Sequence, residues 1–159
     1  MFSLQSLTAA VISVTNTNGG NTPGSLANAI YISSSGDTID CSAIAGQTIA
    51  LTSSLPAIPH NLTISGSGII IDGNQQSCQA FSVAAGAVTI NDVTIQHAIS
   101  LGGRGGEGQG GGGGVGGGPA LYVESGANVI LSEAILKNNK AQGGKGGAGN
   151  GSSRGGGGG

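Results

Sequence analysis

The chain is poor in charge and in aromatic residues. Only 8% of its 159 residues are Asp, Glu, Lys or Arg, 3% are aromatic, and Trp is absent. A formal net charge of -2 leaves neither a nucleic-acid footprint nor an acidic tail. Low net charge beside 37% hydrophobic residues also argues against a disordered chain. Proline is scarce, with 4 in all. No apolar run approaches the roughly 18 residues a membrane-spanning helix requires. The mildly apolar start, Met1 to Val14, lacks a basic leader and a small-residue cleavage site, so it reads as a poor signal peptide. Either a longer precursor precedes it or export takes another route. The two cysteines, Cys41 and Cys78, leave two readings open: a disulfide in an oxidising compartment, or two small buried hydrophobes.

What is abundant is glycine, 34 residues, concentrated in two tracts at 102–118 and 143–159. The remainder is an aliphatic body rich in Ser, Thr and Asn. Its apolar residues alternate in short runs, the pattern of half-buried strands. Thr48-Ile49-Ala50-Leu51-Thr52, Asn61-Leu62-Thr63-Ile64-Ser65 and Val88-Thr89-Ile90-Asn91 are examples. Gly68-Ile69-Ile70-Ile71-Asp72-Gly73 is a continuous apolar run between glycines. Turn residues punctuate the body at Ser65 to Gly68, Asp72-Gly73-Asn74, Ala85-Gly86 and Ser125-Gly126. One helix is expected, over Pro23 to Tyr31, with Leu26, Ala29 and Ile30 on one face. Asn21 or Thr22 would cap it, with Pro23 in its first turn.

An internal repeat decides the fold class. Residues 80–87 match residues 120–127, and residues 88–95 match 129–136. The offset is about 40 residues; taking the first glycine tract as an insertion reduces the period to roughly 24, a solenoid length. A unit of two or three short strands cannot bury its apolar face alone, but stacking buries it. Ile64, Ile90, Ile95, Val123 and Ile130 are expected to point inward. The expected fold is therefore all-β, a right-handed parallel β-helix with a short N-terminal capping helix and glycine-rich insertions. The expected segments are an N-terminal strand and capping helix at 1–36, β-helix rungs at 37–101, a glycine-rich insertion at 102–118, a further rung at 119–142, and a glycine-rich tail at 143–159.

In the first tract glycine occupies every third position: Gly102, Gly105, Gly108, Gly111, Gly114 and Gly117. Collagen shares that period, but Pro119 is the tract's only proline and collagen needs many. Two readings remain. The tract is either a loop outside the rungs, or an extended three-residue helix packed beside the second tract with amides bonded between them.

Signatures of chemistry are sparse. Gly144-Lys145-Gly146 lacks the Ser or Thr of a phosphate-binding loop, and Gly66-Ser67-Gly68 lacks nucleophile-elbow spacing. His60 and His97 stand far apart with no ligand pattern and read as turn or surface residues. Asp72 and Asp92 lie about one period apart, as an acid and base pair would, but each also suits a turn. Arg104, the nearest cation, sits in the glycine tract. Asn61-Leu62-Thr63 and Asn150-Gly151-Ser152 match a glycosylation sequon, read here as chance. Thr63, Thr89 and Thr94 face outward without a regular Thr-x-Thr ladder. No catalytic, cofactor-binding or metal-binding residue is assigned.

The opening Gly24-Ser25-Leu26-Ala27-Asn28-Ala29-Ile30, then Gly36-Asp37-Thr38-Ile39, Leu62 to Gly68, and Ile71-Asp72-Gly73-Asn74, resembles the start of bacterial secreted β-helix proteins. These include autotransporter-like passengers and polymorphic outer-membrane proteins. Gly117-Gly118-Pro119-Ala120-Leu121 and Leu136-Lys137-Asn138-Asn139 are similar to the Gly-Gly-Ala-Ile and Phe-x-x-Asn motifs of the latter, with a proline intruding and Leu136 in place of the aromatic. The resemblance spans residues 11–141. It implies an exported, non-catalytic, adhesin-like scaffold at the bacterial surface, the N-terminal part of a longer protein. Its partner would be a host-surface or carbohydrate ligand, with no cofactor and no nucleic acid. The open final rung would allow end-to-end self-association. Two alternatives are a fragment of a polysaccharide-active β-helix enzyme and a self-assembling or ice-binding solenoid. The pectin-cleaving hydrolases look less similar, because their Asp-Asp, Gly-His-Gly and Arg-x-Lys motifs are missing.

Overall fold

The computed structural model describes residues 8–106 and 112–148. Strands dominate and every named strand pair is parallel. The first strand, β1 (Val11–Ser13), precedes helix α1 (Leu26–Ile32). Then come β2 (Asp37–Asp40), β3 (Thr48–Ala50), the long β4 (Leu62–Asp72), β5 (Phe81–Val83), β6 (Ala87–Gln96) and β7 (Ile99–Leu101). The last four are β8 (Leu121–Val123), β9 (Asn128–Ser132), β10 (Ile135–Lys137) and β11 (Lys140–Gln142).

Parallel pairing requires a long return path between neighbours. Here each strand pairs with one about 25 residues earlier, or about 41 where the first glycine tract intervenes. One large sheet orders β1, β2, β4, β6 and β10, with β3 also on β4 and β9 also on β6. Two smaller sheets pair β5 with β8 and β7 with β11. The sequence repeat is the hydrogen-bond register: Phe81 faces Leu121, Val88 faces Val129, and Thr94 faces Ile135.

In-register stacking turns alternation into columns of like side chains. Ile39, Ile64 and Ile90 form one inward column, and Ile49, Ile71 and Ile95 another; all six are fully buried. Phe81, Leu51, Ile58 and Ile69 complete the centre of the core. At about 25 cal/mol per Å² of apolar area, such burial offsets the ordering entropy. Long strands bend where single residues take a left-handed conformation. Ser67 and Asp92 do so in β4 and β6, and Glu133 does so between β9 and β10. Gly66 is needed at the first bend, because a Cβ there would collide with the Asp92 carbonyl and the Val93 side chain.

Three expectations need correction. The helix begins later than Pro23, since Gly24 has φ +80° and cannot continue it. Ser25 is the cap, its Oγ accepting from the Asn28 amide at 3.1 Å, and Leu26, Ala29 and Ile30 are buried as expected. Ile130 points outward and is 58% exposed, because it pairs with outward Thr89; Leu131 takes the inward position above Ile90. Val123 stacks on buried Val83 but remains 40% exposed, because nothing among the described residues covers the last strands. Ile64, Ile90 and Ile95 are inward. Cys41 and Cys78 are buried free thiols, not a disulfide.

The glycine tracts pack against each other within the described residues. Leu101 pairs with Gln142, and the two chains continue together beyond the sheet. The Gly102 amide donates to the Gln142 carbonyl, and the Gly105 amide to the Lys145 carbonyl, both at 2.8 Å. The return leg lies against both: Gly114 donates to the Gly103 carbonyl at 2.7 Å, and Gly144 donates to the Gly114 carbonyl at 2.8 Å. The bonds recur every third residue, whereas a parallel strand ladder recurs every second. The reading in which the tracts pack side by side with amides bonded between them therefore holds for these legs. Its phase differs from the sequence count. The crowded positions of the return leg are Gly113 and Gly116, not Gly114 and Gly117, and those of the second tract are Gly144 and Gly147. The chain reverses between the legs, so packing rather than continued counting sets the phase. Gly108, Gly111 and residues 149–159 lie outside the described residues.

Candidate binding surface

Asp72 and Asp92 do not face each other. Asp72 ends β4 opposite Gln96, while Asp92 sits at the bend of β6, four residue steps or roughly 13 Å of extended chain from Gln96. Asp72 instead gathers a polar cluster. Gln96 Nε2 donates to its Oδ2 at 2.7 Å, the Asn74 amide donates to its Oδ1 at 2.7 Å, and His97 Nδ1 lies 3.1 Å from Oδ2. Partial desolvation pushes the Asp72 carboxyl up, but hydrogen bonds led by Gln96 outweigh it and hold the group below the usual carboxylate range. His97 takes φ 54° at the end of β6, which turns its ring back toward Asp72. The cluster ties neighbouring strands together. The period that aligns apolar residues also aligns Asp72 with Gln96 and His97, and applying it to polar residues would have found the cluster.

His60 sits half-buried in a bend, in line with the turn reading, and acts there as a strut. Its Nε2 donates to the Ser33 carbonyl at 2.9 Å, linking the end of α1 to the start of β4. Asn61 Oδ1 accepts from the Ala87 amide at 2.8 Å, so the first sequon residue also bonds between neighbouring strands. Asn150 lies outside the described residues. Arg104 is exposed on the outgoing glycine leg. The stretch Gly102-Gly103-Arg104-Gly105-Gly106 recurs as Gly143-Gly144-Lys145-Gly146-Gly147, in the register that β7 and β11 set. A cation thus occupies the same place in successive legs. Among the described residues no three His, Cys, Asp or Glu side chains converge to hold a metal. No concave pocket opens on the described surface.

The most regular exposed feature is a polar face on the large sheet. Thr38, Thr63 and Thr89 stand in one outward column across three successive strands. Val11 and Ile130 end that column. Ser13, Asp40, Ser65, Asn91 and Ser132 form the next column. The expectation that no regular Thr-x-Thr ladder forms holds: the threonines make one column, the column two residues on mixes Ser, Asp and Asn, and Thr94 pairs with Ile70 and Ile135 instead. Strand spacing sets the repeat along each column at roughly 4.8 Å. Such a face offers aligned hydroxyls, with the one carboxylate of Asp40 and the one amide of Asn91 among them, to an extended polar partner and buries no reactive group.

No protein-family model, curated protein or solved structure matches the chain.

Proposed function

We propose that the chain is a right-handed parallel β-helix that serves as a non-catalytic, adhesin-like scaffold at the bacterial surface. One observation carries the reading: the in-register parallel stack, in which successive strands of the large sheet lie one period apart. Right-handedness follows the strong preference of parallel crossover connections. The stack is stiff because each period is locked to the next by backbone bonds, inward columns and ties such as Asp72 with Gln96. The outward columns and the glycine legs decorate its flanks, where an extended glycan or host-surface ligand would lie. Export and surface location rest on the resemblance to secreted β-helix proteins.

The test is to incubate the chain with pectin and other polysaccharides or host-cell surface preparations, and to score retention separately from cleavage. The scaffold reading expects retention without turnover, weakened by Thr63→Lys on the polar face. Turnover abolished by Asp72→Asn would overturn it in favour of a polysaccharide-active enzyme. A second reading, an ice-binding solenoid, is favoured by the Thr38, Thr63 and Thr89 column. Its test is inhibition of ice recrystallisation, lost in the same Thr63→Lys variant.

A further inference from the structure

The two ends of the stack are finished differently. At the N-terminal end, α1 buries Leu26, Ala29 and Ile30 against the core. At the other end, Leu121, Val129, Leu131 and Ala134 touch the core below but are only partly buried. Tyr122, Val123, Ile130, Ile135 and Leu136 are between 40% and 58% exposed there. Among the described residues, β8, β9, β10 and β11 each have a strand partner on one side only. An unpaired parallel edge with a half-covered apolar interior is a template for further strands.

We infer that this end docks a second copy of the chain, tail to tail. The helix across the opposite end disfavours a head-to-tail contact. The tail is also compatible with itself. β9 reads Asn128-Val129-Ile130-Leu131-Ser132, and its pattern is unchanged when the strand is reversed about Ile130. An antiparallel two-fold pairing centred there places Val129 beside the partner copy's Leu131, keeps inward residues inward and apposes the two Ile130 side chains. This inference rests on the parallel stack, its exposed apolar edge and the β9 pattern, and needs no ligand of the adhesin reading.

The 159-residue chain is tested by sedimentation and light scattering over a range of concentrations. The expected species at high concentration has twice the 15.1 kDa chain mass. Ile130→Lys should weaken the dimer by at least about tenfold, because like charges would then face each other. A crosslinking pair gives a readout that does not depend on the folding of the Lys variant. Under mild oxidation, Ile130→Cys should form a disulfide-linked dimer, while Val11→Cys, on the exposed edge of β1, should not. A monomer at all concentrations overturns the inference. So does crosslinking in a mixture of the Val11→Cys and Ile130→Cys chains beyond that of Ile130→Cys alone, since that marks head-to-tail stacking or a covering partner other than this tail.

Discussion

Replacing Gly144 with Ala should release the glycine legs, whereas replacing Gly103 with Ala should not. Both positions lie in the same bundle, and neither has a left-handed φ. They differ in space. A Cβ on Gly144 would collide with the Gly103 carbonyl, whereas a Cβ on Gly103 would meet nothing within 4 Å. Relieving the collision separates the legs and sacrifices the bonds from Gly144 to Gly114 and from Gly114 to Gly103. At about 0.5–1.5 kcal/mol net per bond, the loss is about 1–3 kcal/mol. Gly103→Ala should instead be neutral or stabilising by about 0.4–1 kcal/mol, by reducing the freedom of the unfolded chain. The legs open locally, so amide hydrogen exchange is the fitting assay. The Gly102, Gly105, Gly114 and Gly144 amides should be protected in the parent chain and in Gly103→Ala. In Gly144→Ala the remaining bonded amides should exchange roughly 10- to 100-fold faster. Equal exchange in the two variants, or fast exchange in the parent, would refute the packed bundle.

Ile90→Ala should cost about 2–5 kcal/mol in denaturant unfolding, while Leu131→Ala, one step further along the same column but only partly buried, should cost less than half as much. Equal losses would mean the final strands are covered in the isolated chain. The Ala10 amide, with the Ser34 amide second, holds the Asp37 carboxyl below the usual carboxylate range through bonds of 2.8 Å each. Its stabilisation is full above about pH 4 and is lost as pH falls through the lowered folded value. Asp37→Asn should therefore remove that part of the acid dependence, measured by circular dichroism against pH; an unchanged profile would discount the tether. Burial pushes the Cys41 thiol up to about 12 and the Cys78 thiol in the same direction. Neither should react with a disulfide reagent near pH 8 until the chain unfolds, and rapid labelling of the native protein would contradict their burial.

Alternation in β6 and in the first half of β4 was legible in sequence because inward and outward positions there differ in polarity, whereas outward Ile70 hides it in the second half of β4. The 80–95 against 120–136 match was legible because stacking demands like residues one above another. It yielded the hydrogen-bond partners directly, from Phe81 with Leu121 to Ile95 with Leu136. Ile130 misled because an apolar residue on an outward column imitates an inward one. The bends at Ser67, Asp92 and Glu133 were not legible as left-handed residues, because ordinary side chains carry no compositional mark of positive φ. Asp72 with Gln96 and His97 escaped notice because, among polar residues, the period was applied only to the carboxylates, which matched Asp72 with Asp92 rather than with the residues one full period on.

The glycine excursion leaves after β7 and comes back before β8, so both strands keep their places whatever its reach. Its contacts repeat with a step of three. Adding three residues to the outgoing leg and three to the return leg would restore the same phase on each. Growth by such matched increments leaves the columns of isoleucine below untouched, whereas a single added residue on one leg swings a different face toward its neighbours. The excursion is thus a fin whose reach can be changed in matched steps while the parallel stack beneath it keeps its register.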